Sequence, residues 1–279
     1  MKTVISASRR TDIPAFYLKW LIQRIKEGEV IVRNPYYKSK SIRVDLNPDS
    51  VEWIVFWSRN YSEFLKERIS FSSYHLFFHF TVVSHHSLLE KNTLARNKAI
   101  DQMEHLVKYY GPERIIWRYD PIVIWREQGK IHTNYRREDF KQLCKIFSEL
   151  GIKRCYFSYV TNYLKFKRRF REKYGGCNLL TVEEDVSQSV LEELKEITAI
   201  NHMQLYSCCN DAISGDQILK GSCISGHLLN DLRHQKTVSQ ALTPTREDCG
   251  CTRSIDIGDY LKQPCFYGCI YCYANPVWK

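Results

Sequence analysis

The 279-residue chain is 44% apolar and 13% aromatic, enough to fill a substantial core, and this composition excludes a disordered or fibrous protein. No run approaches the roughly 20 apolar residues that span a bilayer, and the first residues carry no apolar segment of secretory length, so a cytoplasmic protein with no membrane partner is expected. With 41 basic against 31 acidic residues the formal charge is +10, which suits a polyanion such as nucleic acid or an anionic small molecule, and equally serves solubility.

Residues 3–7 alternate and are β-branched, as in a strand, and the polar turn 8–12 leads to a helix. That helix has Thr11 or Asp12 as its cap, Pro14 in its first turn, and Phe16, Trp20, Leu21 and Ile25 at helical spacing until Gly28. Residues 30–46 read as an inserted hairpin around Asn34-Pro35. Strands are then predicted at 51–57, 75–82, 114–119, 153–160 and 203–207, with helices at 61–69, 94–110, 137–150 and 189–200 between them. A second excursion occupies 120–134. Six strands alternating with helices predict an α/β fold with a parallel sheet and right-handed crossovers, in the form of a partial (β/α)6 barrel; a doubly wound open sheet has the same strand count. The expected organisation is a barrel over 1–210 and a cysteine-rich segment, 211–279, packed on its mouth.

In such a barrel the chemistry sits at the carboxyl ends of the strands. There the chain places Arg9, Arg10 and Asp12, then Arg59 and Asn60, His85 and His86, Arg118 and Asp120, and Asn162. Guanidinium groups there suit a phosphate or carboxylate, while Arg9/Asp12 and Arg118/Asp120 also read as ion pairs closing the rim. His79, in mid-strand, reads as a hydrogen-bonded core histidine. Residues 164–174 carry six basic residues, with Phe166, Phe170 and Tyr174 on one stripe, and read as a basic amphipathic helix that presents its charge either to phosphates or to solvent.

Eleven cysteines in a chain of this kind point to metal binding rather than to disulfides. Cys265, Cys269 and Cys272 fall in a C-x3-C-x2-C run, and Gly268 permits the tight curl that turns three thiolates toward one cluster. No fourth cysteine follows at matching spacing, so a [4Fe-4S] cluster here keeps one iron open. The competing reading is zinc, held by four of Cys249, Cys251, Cys265, Cys269 and Cys272. A second set, Cys208, Cys223, Cys249 and Cys251, offers four ligands to an auxiliary [4Fe-4S] cluster or a zinc ion, with Cys208 preferred over Cys209 as the residue ending its strand. Cys144, Cys155 and Cys177 are isolated and read as buried thiols.

The run Cys265-Phe-Tyr-Gly-Cys269-Ile-Tyr-Cys272-Tyr-Ala resembles the signature of the radical S-adenosylmethionine (SAM) superfamily, with Tyr271 in the aromatic position. The resemblance implies a cluster on Cys265, Cys269 and Cys272 that cleaves SAM, hydrogen abstraction from a substrate, and an electron donor such as flavodoxin or ferredoxin. It also implies that the cofactor lies near Tyr271 and the rim residues Arg9, Arg10, Asp12, Arg118 and Asp120. In that superfamily the loop usually follows the first barrel strand, so its place near the end of this chain implies a permuted order. The opening Ser6-Ala-Ser-Arg-Arg-Thr-Asp-Ile-Pro14, together with Cys249-Gly-Cys251, Asp256-Ile-Gly258 and the terminal loop, resembles over nearly the full length an uncharacterised bacterial and archaeal family. The loop alone is similar to that of spore photoproduct lyase, an analogy that points to nucleic acid. The expected function is therefore a radical SAM enzyme. The alternatives are a zinc-stabilised nucleic-acid-binding module and an iron-sulfur redox or sensor protein without SAM chemistry.

Overall fold

The computed structural model describes all residues except 36, 38, 176, 177, 182 and 279, so Cys177 lies outside the described residues. The chain opens with β1 (Thr3–Ala7), α1 (Ile13–Phe16) and α2 (Leu18–Glu27), followed by β2 (Glu29–Arg33) and β3 (Ser41–Asp45). Next come β4 (Val51–Ser58), α3 (Ser62–Glu67), β5 (His75–Thr81) and α4 (Arg96–Tyr110). β6 (Ile115–Ile122), β7 (Ile124–Glu127), β8 (Lys130–Thr133), α5 (Arg137–Glu149) and β9 (Arg154–Tyr159) form the middle of the chain. The rest carries α6 (Leu164–Tyr174), β10 (Asn178–Leu179), α7 (Asp185–Ile200), β11 (Gln204–Cys208), β12 (Ile218–Gly221), α8 (Gly226–Asp231) and β13 (Ile255–Asp256).

Eight strands make one sheet in the order β12-β11-β9-β6-β5-β4-β1-β13, and every neighbouring pair is parallel. The six strands expected from periodicity are all present and adjacent in chain order. A doubly wound sheet reverses that order midway, whereas this one steps in one direction from β1 to β12, and only β13 returns beside β1. The two edge strands were not foreseen, because four residues (β12) and two residues (β13) are too few to show a hydrophobic period. The excursions form small antiparallel sheets, β2 with β3 and β10-β7-β8.

The two faces of the sheet are covered differently. Alternate residues such as Ile5, Phe56, Phe78, Trp117 and Phe157 pack with Leu21, Phe64, Met103, Phe140 and Leu194 of the helices in the main core. Cys144 and Cys155 belong to that core, as expected of isolated thiols. On the opposite face Val4, Trp53, Val55, Phe77, Ile116 and Tyr156 pack against Ile224, Leu229 and Val238, so residues beyond 210 seal this face and add both edge strands. The seal stops short of the carboxyl ends, where the same face turns polar with Ser6, His79, Arg118 and Asp120. His79 is fully buried and stacked on Trp57, with Nε2 2.7 Å from the Cys223 carbonyl. Burial, then the charge of Arg118, pushes its pKa down to about 3, so the ring is neutral: Nε2 donates and Nδ1 is left without a partner.

Candidate functional site

Residues 265–272 cross the carboxyl ends of β1 and β4. The Tyr273 hydroxyl donates to the Arg9 carbonyl just beyond β1, and the Tyr271 hydroxyl meets Arg59, just beyond β4, and Glu90. The backbone is tied down on the side of β5, where Ile270 N donates to the Leu89 carbonyl and Asn92 N to the Tyr267 carbonyl, both at 3.0 Å. On the other side Arg169 of α6 is buried and spends its guanidinium on three carbonyls, those of Ile270 (3.0 Å), Cys272 (2.6 Å) and Ala274 (3.1 Å). The chain reverses at Gly268, whose φ of +70° lies in the left-handed region that a β-carbon disfavours.

Burial raises the pKa of all three thiols of this loop; it takes Cys269 to about 12, and the charges of Asp12, then Cys272 and Cys269, raise Cys265 further. Arg59 opposes the rise at Cys269, and Arg169 that at Cys272. The loop thiols are therefore protonated without metal, and any metal they take up displaces those protons. Arg59 is itself balanced by Glu90 through two hydrogen bonds of 2.9 and 2.7 Å. That pair also lines a cavity of about 200 Å³ with Ser84, His85, Arg96 and Arg136. A wider depression, about 670 Å³, opens among Met1, Thr3, Asp45 and Lys236 at the amino ends of the strands and contains no cysteine.

The second set of thiols lies at and beyond the carboxyl end of β11. Cys208, ending β11, is 3.4 Å from Cys223 and 3.9 Å from Cys209. Cys209 meets Cys249, Cys249 meets Cys251, and Cys251 meets Cys223, so five sulfurs form a closed circuit of neighbours. These sulfur neighbours pull the Cys249 pKa far down and push that of Cys209 far up. Guanidinium groups surround this ring: Arg118 Nη1 donates to the Cys223 sulfur at 3.1 Å and Arg246 Nη2 to the Cys208 sulfur at 3.6 Å. Among the described residues no three His, Cys, Asp or Glu side chains converge on one point as the ligands of a single metal ion must.

The rim residues named from the sequence divide between these two sites. Asp12 does not pair with Arg9. It caps α1 at Ala15 N (3.0 Å) and accepts from Ser58 Oγ and Arg59 N, and burial pushes its pKa up to about 6. Arg9 and Arg10 instead share Asp256 of β13, at 3.7 and 3.6 Å, and this carboxylate also takes Ser6 and Ser8. The sequence offers Asp256 within the Asp256-Ile-Gly258 motif but not as the partner of Arg9 and Arg10, since a two-residue strand gives no signal. Arg118 pairs with Asp120, which also accepts from Ser158, so this carboxylate of the expected cofactor set is engaged within the protein. Of the expected cofactor set, Asp12 and Tyr271 act on the thiols of the terminal loop, Arg9 stands near Cys251 and Cys223, Arg10 lies on Asp256 and Gly258, and Arg118 with Asp120 is at the ring. Cys249 and Cys251 have Cys209 and Cys223 as neighbours, and among the described residues they do not converge with the terminal thiols on one metal position. On α6 the aromatic stripe is buried at Phe166 and Phe170 as expected, but Arg169 faces inward with it.

A family model described as Domain of unknown function (DUF1848) matches residues 4–274. No curated protein and no solved structure matches the chain. Among the described residues no helix is long and apolar enough to cross a membrane.

Proposed function

We propose, for a chain that belongs to the DUF1848 family of unknown function, the activity of a radical SAM enzyme. The observation that carries this reading is the position of the C-x3-C-x2-C loop. Although it lies near the end of the chain, it returns to the carboxyl end of β1, held there by Tyr273 on Arg9 and by Tyr271 on Arg59. Read this way, the consecutive strands β1, β4, β5, β6, β9 and β11 are the partial barrel, and the loop order is permuted in sequence but not in space.

The donor set suits a cluster with one open iron: three buried or half-buried thiols within eight residues, a left-handed glycine at the curl, and cations acting on two of the three sulfurs. When bound, such a cluster supplies the electron that cleaves SAM to a 5′-deoxyadenosyl radical. Cys265, Cys269 and Cys272 would be its ligands. Arg169 fixes the loop carbonyls, and the Arg59–Glu90 pair holds Tyr271, so these residues position the ligands rather than touch the reactants. Buried aromatic and aliphatic groups around the loop, among them Leu89, Val123, Phe166, Tyr267 and Ile270, keep bulk water from the thiols. The chain's formal charge of +10 favours an anionic substrate, nucleic acid among them.

The test is anaerobic reconstitution with iron and sulfide, reduction by dithionite, and chromatographic assay of 5′-deoxyadenosine from added SAM. The nucleoside forms in the wild type and not in Cys269→Ala. A protein that takes up no iron at this loop, or one purified colourless with zinc there, would overturn the reading in favour of a binding module. An iron-loaded protein that never forms the nucleoside would favour a redox or sensor role.

A further inference from the structure

We propose that Cys208, Cys223, Cys249 and Cys251 ligate a second, closed metal centre carrying two net negative charges, with Cys209 as a neighbouring thiol outside it. This inference does not depend on SAM chemistry at the terminal loop.

The argument is one of convergence. Cys208 ends β11, Cys223 follows β12, and Cys249 and Cys251 stand on the segment before β13, yet their free thiols are brought together. Arg118, buried and paired with Asp120, also donates to the Cys223 sulfur. Arg9, which shares Asp256 with Arg10, keeps Nη1 buried and without a partner among the described residues, with Cys251 and Cys223 next after Asp256 among the groups acting on it. Guanidinium groups so placed favour thiolate over thiol at those sulfurs. Four thiolates around a dicationic core leave two negative charges, and both a [4Fe-4S] core in its +2 state and a zinc ion meet that condition.

Cys208 and Cys223 are the sulfurs that receive guanidinium N–H groups, Cys249 has the Thr245 hydroxyl at 3.5 Å, and Cys251 is buried. Cys209 receives no guanidinium hydrogen bond and stands on left-handed backbone, φ +55°, immediately after Cys208. The 3.4 Å separation of Cys208 and Cys223 is a few tenths of an ångström short of the ~3.8 Å edge of a sulfur tetrahedron at ~2.3 Å from zinc. No three of the sulfurs share a centre now, so occupancy requires the ring to close around zinc or to open around a cluster.

The test uses the full chain with Cys265, Cys269 and Cys272 all replaced by alanine, which leaves the ring intact. Purified anaerobically, it should retain either about four irons with about four sulfides or about one zinc per chain; the analysis of iron, sulfide and zinc distinguishes the two sources. Adding Cys223→Ser should remove that metal, and adding Cys209→Ser should not. A folded triple variant with neither iron nor zinc would overturn the proposal, and loss of metal on Cys209→Ser would overturn the choice of ligands. Should the triple variant fail to fold, native mass spectrometry of the reconstituted wild type decides: a mass for one cluster and nothing more contradicts a second centre. Metal in the triple variant reports on the ring, and 5′-deoxyadenosine on the terminal loop, so either can fail without the other.

Discussion

The two thiol sites at the mouth are held by guanidinium groups used in opposite ways. At the terminal loop, Arg169 grips backbone carbonyls and Arg59 is neutralised by Glu90, so the positive charge is met by the protein itself. At the ring, Arg118 and Arg246 donate to sulfur, and Arg246 has no carboxylate partner among the described residues. The first arrangement shapes a loop that is stable before anything binds. The second points guanidinium hydrogens at sulfur itself, which favours thiolate there and makes the ring the site where electrostatics act most directly on the ligands.

Predictions follow the size of their effect on that contrast. Cys269→Ala should reduce nucleoside formation below detection while leaving the ring's metal in place, and assays of both on one preparation show whether the sites are independent. Arg118→Met should cost about 3–5 kcal/mol, the range for breaking a buried charge pair, because Asp120 loses its partner and Cys223 its donor. Denaturant unfolding measures this, and a loss below 1 kcal/mol would remove the electrostatic argument for the ring. Arg169→Leu leaves three loop carbonyls without their donor, at roughly 1–3 kcal/mol for each group left buried and unpaired. It should lower iron at the terminal loop severalfold and spare the ring, which iron and zinc analysis reads directly.

A further effect is one of pH. His79 lies under the ring facing Arg118, Arg9, Cys208 and the Cys223 carbonyl, and its folded pKa of about 3 is below the ordinary 6.5. A depressed folded pKa contributes stability that is present above pH 6.5 and is lost as the pH falls from there toward 3. The loss is at most roughly 1.4 kcal/mol per pH unit, the worth of one proton. His79→Gln should flatten that segment of the stability profile, and an unchanged slope would mean that the imidazole is not held neutral.

What the sequence made legible follows from how local each feature is. Cys265, Cys269 and Cys272 lie within eight residues, so their spacing alone carries their geometry. Four thiols of the ring were recognisable as a candidate set, but its closure through Cys209 depends on the turn after β11 and on β12, a strand too short to leave a pattern. The six main strands were legible because each carries its own apolar run, whereas Asp256 anchors Arg9 and Arg10 from a two-residue strand that carries none. Arg169 could have been read from the periodicity, since it stands three residues after Phe166 and one before Phe170 on the buried stripe. The weight of basic residues in α6 hid it. Its aliphatic stem suits that face, and its head reaches carbonyls rather than phosphates.

The central claim, an open iron at the terminal loop that binds SAM, is tested most directly by electron paramagnetic resonance of the reduced Cys223→Ser variant, titrated anaerobically with SAM. The account predicts a reduced-cluster signal whose g-values shift as SAM is added and which is absent when Cys269→Ala is combined with Cys223→Ser. A reduced-cluster signal that SAM leaves unchanged at saturating concentration would contradict it.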